Sequence, residues 1–311
     1  MSLTKKITFY PLFILVFLRA GISSETNQDF NLTEIAENNY VHLGKHVSIE
    51  DKENSDIANI GFIIGNDCVA VIDTGGSINI GMKLKNSAHK ITKKPICYVI
   101  NTHVHFDHIL GNKAFVSKNT NFVGHKDLAE AVNQNRDFFL TQFKNNLNPG
   151  AKVQDIIGPN ILIEESTQLE LGGRTLTLIP FPKSHSHNDL VVIDNETRTL
   201  WSGDLIFRER IPSLTGSLKG WLETIEKIKK LDVKIVVPGH GDVASSLGDA
   251  IKQQENYLNL LLNKTRQAIN EGKFINEAME TIDQDNQFKL ILHDYQHSTN
   301  INKAYTELEW E

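Results

Sequence analysis

Cysteine is scarce in this chain: Cys68 and Cys97 are the only two among 311 residues. One separated pair cannot make a zinc knuckle or a Cys-x-x-Cys redox motif. Each sits inside an apolar run of core-strand type, so buried free thiols are expected, although an oxidising compartment would permit a bond between them. Positive charge is also short. Lys and Arg number 32 against 38 Asp and Glu, for a formal charge of −6, and no basic stripe is present. A nucleic-acid binder needs such a stripe to neutralise phosphates, so that class is excluded.

Long apolar runs are missing as well. The nearest is Ile7–Leu18, preceded by Lys5 and Lys6 and followed by Arg19 and the small residues Ala20, Gly21, Ser23 and Ser24. It falls short of the roughly 20 residues a spanning helix needs, and its flanks are those of an export signal. The expectation is a signal peptide over 1–24, a periplasmic or secreted product, and no stable membrane span after cleavage. An uncleaved anchor is the alternative. Losing Lys5, Lys6 and Arg19 takes the formal charge from −6 to −9.

What is present is ordinary globular material, 23% charged and 40% hydrophobic, enough for a large core. Apolar runs at 60–64, 69–72 and 96–100 read as buried strands, with a turn at Gly65-Asn66-Asp67 and a helix over 78–90. The pattern recurs with strands at 174–179, 190–193, 199–201 and 235–237, and a helix over 217–231 capped by Ser217. Beyond Leu247 the chain reads as helical, with Tyr257, Leu258, Leu261 and Leu262 on one stripe. No polar linker interrupts this, which predicts a single α/β domain over 25–311. Residues 25–45 and 137–160 are the least determined.

Chemistry concentrates at Asn101-Thr102-His103-Val104-His105-Phe106-Asp107-His108, directly after the 96–100 strand. Four metal-ligand side chains within six positions, where a strand opens into a loop, suit zinc or another divalent transition metal. His103 and His105 alternate and can share one ion; Asp107 and His108, at a helix start, can face a second. Further donors stand at later strand ends: His185 and His187 before 190–193, Asp204 after 199–201, and His240 after 235–237. That rim is where α/β folds position functional groups.

The motif H-x-H-x-D-H, followed by a histidine, Gly203-Asp204 and Pro238-Gly239-His240, resembles the metallo-β-lactamase superfamily over about 55–245. The Asp73-Thr74-Gly75 turn matches too. The resemblance implies an αββα sandwich with a mainly helical C-terminal segment. It implies that His103, His105 and His185 hold one metal, that Asp107, His108 and His240 hold the other, and that Asp204 bridges them. Spacing back from Asp189-Leu190 favours His185 over His187 as the ligand. Asp73 is expected to orient a ligand histidine. Trp221 and Phe138-Phe139-Leu140 are candidates for a pocket wall, with core packing as the alternative. His125 is read as structural at a helix start. His42, His46, His89, His293 and His297 have no assignable partner.

These implications describe a di-zinc hydrolase whose metal-bound hydroxide attacks an ester, thioester, lactam or related bond of a small molecule, with Asp107 and Asp204 as the catalytic carboxylates. Iron and manganese suit the same ligands. The stretches Val41-His42-Leu43-Gly44, Asp56–Phe62 and Ala304–Glu311 resemble exported zinc hydrolases associated with quinoprotein dehydrogenases, which implies a functional link to such a system. A glyoxalase-like thioesterase and a β-lactamase are alternatives within hydrolysis. A mononuclear-iron persulfide dioxygenase and a non-catalytic binding partner are alternatives from other classes; metal analysis separates the first.

Overall fold

A computed structural model describes residues 30–311; the expected signal at 1–24 lies outside the described residues. The described chain begins with a short hairpin, β1 (Thr33–Ala36) and β2 (Asn39–His42). β3 (Ile60–Ile64) and β4 (Val69–Ile72) follow and are buried along their whole length, as apolar runs without polar alternation require. Helix α1 (Ile78–Ile91) starts at Ser77, whose hydroxyl accepts the Ile80 N–H at 3.2 Å. β5 (Ile96–Ile100), the one-turn α2 (Phe106–Ile109), β6 (Asn121–His125), α3 (Leu128–Gln142) and β7 (Ile161–Ile163) complete the first sheet. Its seven strands run in chain order, antiparallel from β1 to β4 and parallel from β4 to β7.

The second sheet holds β8 (Thr167–Glu170), β9 (Thr175–Pro180), β10 (Leu190–Asp194), β11 (Thr199–Trp201) and, after helix α4 (Leu218–Ile228), β12 (Ile235–Val237). The order is β12-β11-β10-β9-β8, with β11 and β12 parallel across the α4 crossover. α5 (Leu247–Asn270), α6 (Ile275–Thr281) and α7 (His293–Leu308) form the helical C-terminal segment. Among the described residues no helix is long and apolar enough to cross a membrane.

Ile63, Ala70, Ile72 and Ile100 of the first sheet meet Leu176, Leu178, Val192 and Trp201 of the second in one core. α4, α5 and α7 cover the outer side of the second sheet through Trp221, Ile225, Tyr257, Leu258 and Ile301. α1 covers the first through Ile80 and Leu84. Helix, sheet, sheet, helix is the αββα sandwich. Arg174 braces it from within: it donates to Asp194 through Nε (3.0 Å) and Nη2 (2.7 Å), and to the carbonyls of Ile64 and Glu37 in the first sheet. Breaking such a buried pair from one side costs about 3–5 kcal/mol.

Several expectations change. The undetermined 25–45 region contributes the β1–β2 hairpin, and 137–160 contains the end of α3 and a loop. His125 closes β6 rather than opening a helix; α3 begins at Leu128. The cysteines are not free thiols. Cys68 and Cys97 form a disulfide with Cα atoms 5.8 Å apart. The reason is local register: Val69 pairs with Ile96 but Ala70 pairs with Tyr98. The extra residue in β5 is Cys97, and such a bulge re-aims the side chain it carries.

Candidate metal centre

The seven donors come from separate loops that open on one edge of the two sheets. His103, His105, Asp107 and His108 follow β5, Asp204 follows β11, His240 follows β12, and His185 precedes β10. The Leu190 N–H donates to the Thr102 carbonyl at 2.8 Å, joining the first and second halves at this edge. Asn59 ties down the His240 loop, donating to the carbonyls of Pro238 (2.9 Å) and Gly241 (2.7 Å). Gly239 must be glycine: a Cβ there would collide with Asp204 Oδ1.

The donors converge as two groups, His103-His105-His185-Asp204 and Asp107-His108-His240, each with its ligand atoms within 4.8 Å of one another. Asp204 joins them. Its Oδ2 stands 3.6 Å from His103 Nε2 and 3.3 Å from His185 Nε2, and its Oδ1 stands 3.1 Å from His108 Nε2 and 3.3 Å from His240 Nε2. Asp107 Oδ2 lies 3.6 Å from His108 Nε2 and 3.4 Å from His240 Nε2.

Every histidine has its outward nitrogen engaged, which selects the nitrogen that faces inward. His185 Nδ1 donates to the Ser213 carbonyl at 2.7 Å and His240 Nδ1 to that of Ile57 at 2.7 Å. His108 Nδ1 donates to Asp73 Oδ2 at 2.8 Å. His103 Nδ1 donates to the Thr102 hydroxyl at 3.0 Å, which in turn donates to Asp73 Oδ2 at 2.8 Å. His105 is reversed: Nε2 meets the Thr215 hydroxyl at 3.3 Å, while Nδ1 stands 2.9 Å from His103 Nε2 and from His185 Nε2.

Charge within the cluster is divided. Burial holds His103 and His105 below the ordinary imidazole range and takes His185 down to about 3, so these rings are neutral, as ligands must be. Burial acts to lower His108 too, but the carboxylates of Asp204, Asp107 and Asp73 lift it well above its ordinary value. Burial would raise Asp204, yet His240, His108 and His103 hold it well below the usual carboxylate range. An ionised Asp204 beside the neutral rings of His103, His105 and His185 is a setting that suits a cation. His108 Nε2 and Asp204 Oδ1 also lack hydrogen-bond partners among the described residues. Ligands about 2.0–2.2 Å from a tetrahedral ion lie about 3.3–3.6 Å apart, the spacing of most of these pairs. The donor set fits divalent metal.

The centre opens into a cavity of about 640 Å³. Ile49, Val104, Phe106, Phe138, Phe139, Phe143 and Ile211 make much of its wall, with Asp107, Asp204, Arg210, His240, Tyr295 and Thr299 as its polar part. Phe138 and Phe139 therefore do line a pocket, whereas Leu140 packs in the cluster beneath. Trp221 does not. It is fully buried behind the centre, T-shaped on His185 with ring centroids 5.1 Å apart, and donates to the Leu205 carbonyl at 3.0 Å. His187 is exposed and, with His125, lines a neighbouring groove that shares His105 and Thr215 with the cavity. His42 accounts for itself by bonding the Asn31 carbonyl (2.9 Å) and Asp56 (2.7 Å), and His46 faces Glu209 at 3.3 Å.

Sequence reasoning passed over Arg210, Thr102, Thr215, Ser213 and Asn59. Arg210 lies within Arg208-Glu209-Arg210-Ile211-Pro212, where no spacing marks it. Its Nη1 stands 3.3 Å from His240 Nδ1, and its Nε has no hydrogen-bond partner among the described residues.

The model of the metallo-beta-lactamase superfamily matches residues 55–240. The chain belongs to that superfamily. Two solved structures show the same fold. A metallo-beta-lactamase from Pontibacter korlensis aligns at a TM-score of 0.58 and 19% identity, covering 74% of this chain and 98% of that one. The stereoselective inverting sec-alkylsulfatase of Pseudomonas sp. aligns at 0.66 and 16% identity, covering 89% of this chain and 50% of that one. Among curated sequences, a linear primary-alkylsulfatase from Pseudomonas sp. (strain ATCC 19151) is 22% identical over 251 residues, which is 68% of this chain and 47% of the relative. The chain spans about half the length of that relative. The described residues of this superfamily member carry His and Asp clusters able to hold metal.

Proposed function

We propose that the chain hydrolyses an ester, thioester, lactam or related bond using two divalent ions, zinc in the first instance. His103, His105 and His185 would hold one ion, Asp107, His108 and His240 the other, with Asp204 shared. The observation that carries this is the placement of Asp204, whose two oxygens face the two histidine groups separately. A pair of ions so held supplies Lewis acidity and a water-derived nucleophile at neutral pH. The protein's own groups do the rest. The ring-nitrogen bonds keep the histidines aimed, burial keeps His103, His105 and His185 neutral, and the aromatic wall keeps bulk water from the apolar end of the substrate. Asp107, which lines the cavity, holds or passes the proton needed by the departing atom.

Arg210 supports a narrower reading within this one. A guanidinium whose Nε lacks a partner among the described residues, in a cavity with an aromatic and aliphatic wall beside its polar part, suits a substrate with an apolar body and an anionic group beside the scissile bond. The alkylsulfatase relatives favour sulfate esters of that shape. Export by residues 1–24 into the periplasm or beyond, and a link to a quinoprotein dehydrogenase, belong to the same proposal; the Cys68–Cys97 bond supports an oxidising compartment.

The test is a hydrolysis screen of alkyl sulfates, thioesters, lactones and lactams with bound metal counted in the same preparation. Two zinc ions per centre and turnover abolished in Asp204→Ala are expected. One iron per centre with oxygen-dependent turnover would instead establish the dioxygenase, and full activity in Asp204→Ala would overturn the two-ion assignment.

A further inference from the structure

Away from the hydrolytic centre, Asp283, His293 and His297 bring one ligand atom each within 4.8 Å of one another. Asp283 follows α6, while His293 and His297 are one turn apart on α7. The side chains of Asp283 and His293 are 3% and 4% exposed. His293 Nδ1 stands 3.3 Å from Asp294 Oδ1; with the proton on that nitrogen, the Nε2 lone pair faces inward. What Nε2 faces is Asp283 Oδ2, at 3.7 Å. Neither atom has a hydrogen-bond partner among the described residues.

Two buried acceptors thus confront each other, too far apart for a hydrogen bond and at about the separation kept by two ligands of one ion. Asp283 Oδ1 accepts from Gln287 N (3.3 Å) and Nε2 (3.1 Å), whereas Oδ2 has no partner among the described residues, and a buried carboxylate oxygen so left is costly unless a cation meets it. His297 stacks on His293 with ring centroids 4.3 Å apart and supplies the third donor. Both of its nitrogens already bond, Nδ1 to the Tyr257 hydroxyl (2.9 Å) and Nε2 to the Ile282 carbonyl (2.8 Å), so coordination would exchange one of those bonds.

We infer that Asp283, His293 and His297 form a separate structural site for a divalent transition metal, with zinc matching the His₂Asp donor set. Its work is to clasp the segment between α6 and α7. Asp283, Asn286, Lys289 and Leu292 there all adopt left-handed φ, and at Lys289 and Leu292 it persists only where surroundings impose it. The same segment pairs with the wall of the hydrolytic cavity: Ile291 N donates to the Glu209 carbonyl at 2.8 Å and Ile211 N to the Ile291 carbonyl at 3.0 Å, on either side of Arg210. Tyr295 and Thr299, on the α7 that the ion would anchor, line the cavity.

The experiment counts zinc in the zinc-loaded, dialysed full chain against Asp283→Asn and His293→Gln. Asparagine tolerates the left-handed backbone at 283, so that variant spares the loop geometry. Each variant should carry one zinc fewer per chain than the wild type, and the melting temperature should rise with added zinc by less than it does in the wild type. Equal zinc content in all three would overturn the site and leave a plain His293–Asp283 ion pair. If neither variant folds, a zinc-edge anomalous map of wild-type crystals decides. A peak between Asp283 Oδ2 and His293 Nε2 upholds the inference and its absence refutes it. Neither outcome depends on the hydrolytic centre.

Discussion

Asp73 touches no substrate, yet it anchors two of the histidines. Its carboxylate accepts the Thr102 N–H at 2.9 Å, the Thr102 hydroxyl at 2.8 Å and His108 Nδ1–H at 2.8 Å, and the Thr102 hydroxyl orients His103. Asp73→Asn keeps the size and, since φ is +53° and asparagine tolerates that region, the backbone. It replaces Oδ2 by an NH2 group, so two donors meet a donor. Hydrogen bonds to a charged group contribute about 1.5–3 kcal/mol each. Part of that loss is recovered by ring rotation, and partners of metal-bound histidines typically change metal affinity or activity by about 10–100-fold. At about 1.4 kcal/mol per tenfold, this is about 1.4–2.8 kcal/mol. Zinc affinity by chelator competition should fall by that factor, with kcat/KM falling alongside while the melting temperature of the metal-free chain moves little. Affinity within about twofold of wild type would refute the orienting role.

Three further outcomes follow from the geometry. Replacing Cys68 and Cys97 by alanine should lower stability by about 3–4 kcal/mol on the chain-entropy model for a loop of 29 residues, read from denaturant midpoints; an unmoved midpoint would mean the bond does not constrain the chain. Arg210→Met should cost an anionic ester about 10–100-fold in kcat/KM, the loss of one charge-assisted bond, and a neutral ester less; equal losses would remove Arg210 from recognition. Burial pushes the Asp189 carboxyl up to about 7 against the opposing bonds from Ser186. The folded chain therefore keeps a proton that the unfolded chain releases near 3.8, and stability of the metal-stripped protein falls as pH rises between those values. Asp189→Asn should flatten that slope, and parallel stability–pH curves for variant and wild type would count against it.

Much of the first layer of this protein is local and was legible from the chain. The strands of 60–64 and 69–72 announce themselves because burial on both faces admits only apolar residues, and 96–100, partly buried at Cys97 and Tyr98, carries the same apolar run. Ser217 marks a helix start because a hydroxyl there satisfies an orphan N–H. The dense run His103–His108 points to metal chemistry because four side chains of ligand type stand together at a strand end. β6 and β7 were not legible: Asn121–His125 is mixed in composition and Ile161–Ile163 is three residues long, so neither carries a period. Arg210 was invisible for a different reason. Its part depends on what stands around it, which its neighbours in the chain do not encode.

The sequence by itself carried the motif set that resembles the superfamily, the alternation of strand and helix, and the seven candidate donors, since each shows in residue types along the chain. Only the tertiary structure decided which nitrogen of each histidine faces inward, that Asp204 stands between two groups, and that Cys68 meets Cys97 through a bulge. It also brought Asp283 against His293 and set Arg210 beside His240 in the cavity wall. These are relations between groups far apart in the chain, and their geometry exists only once the two sheets have packed.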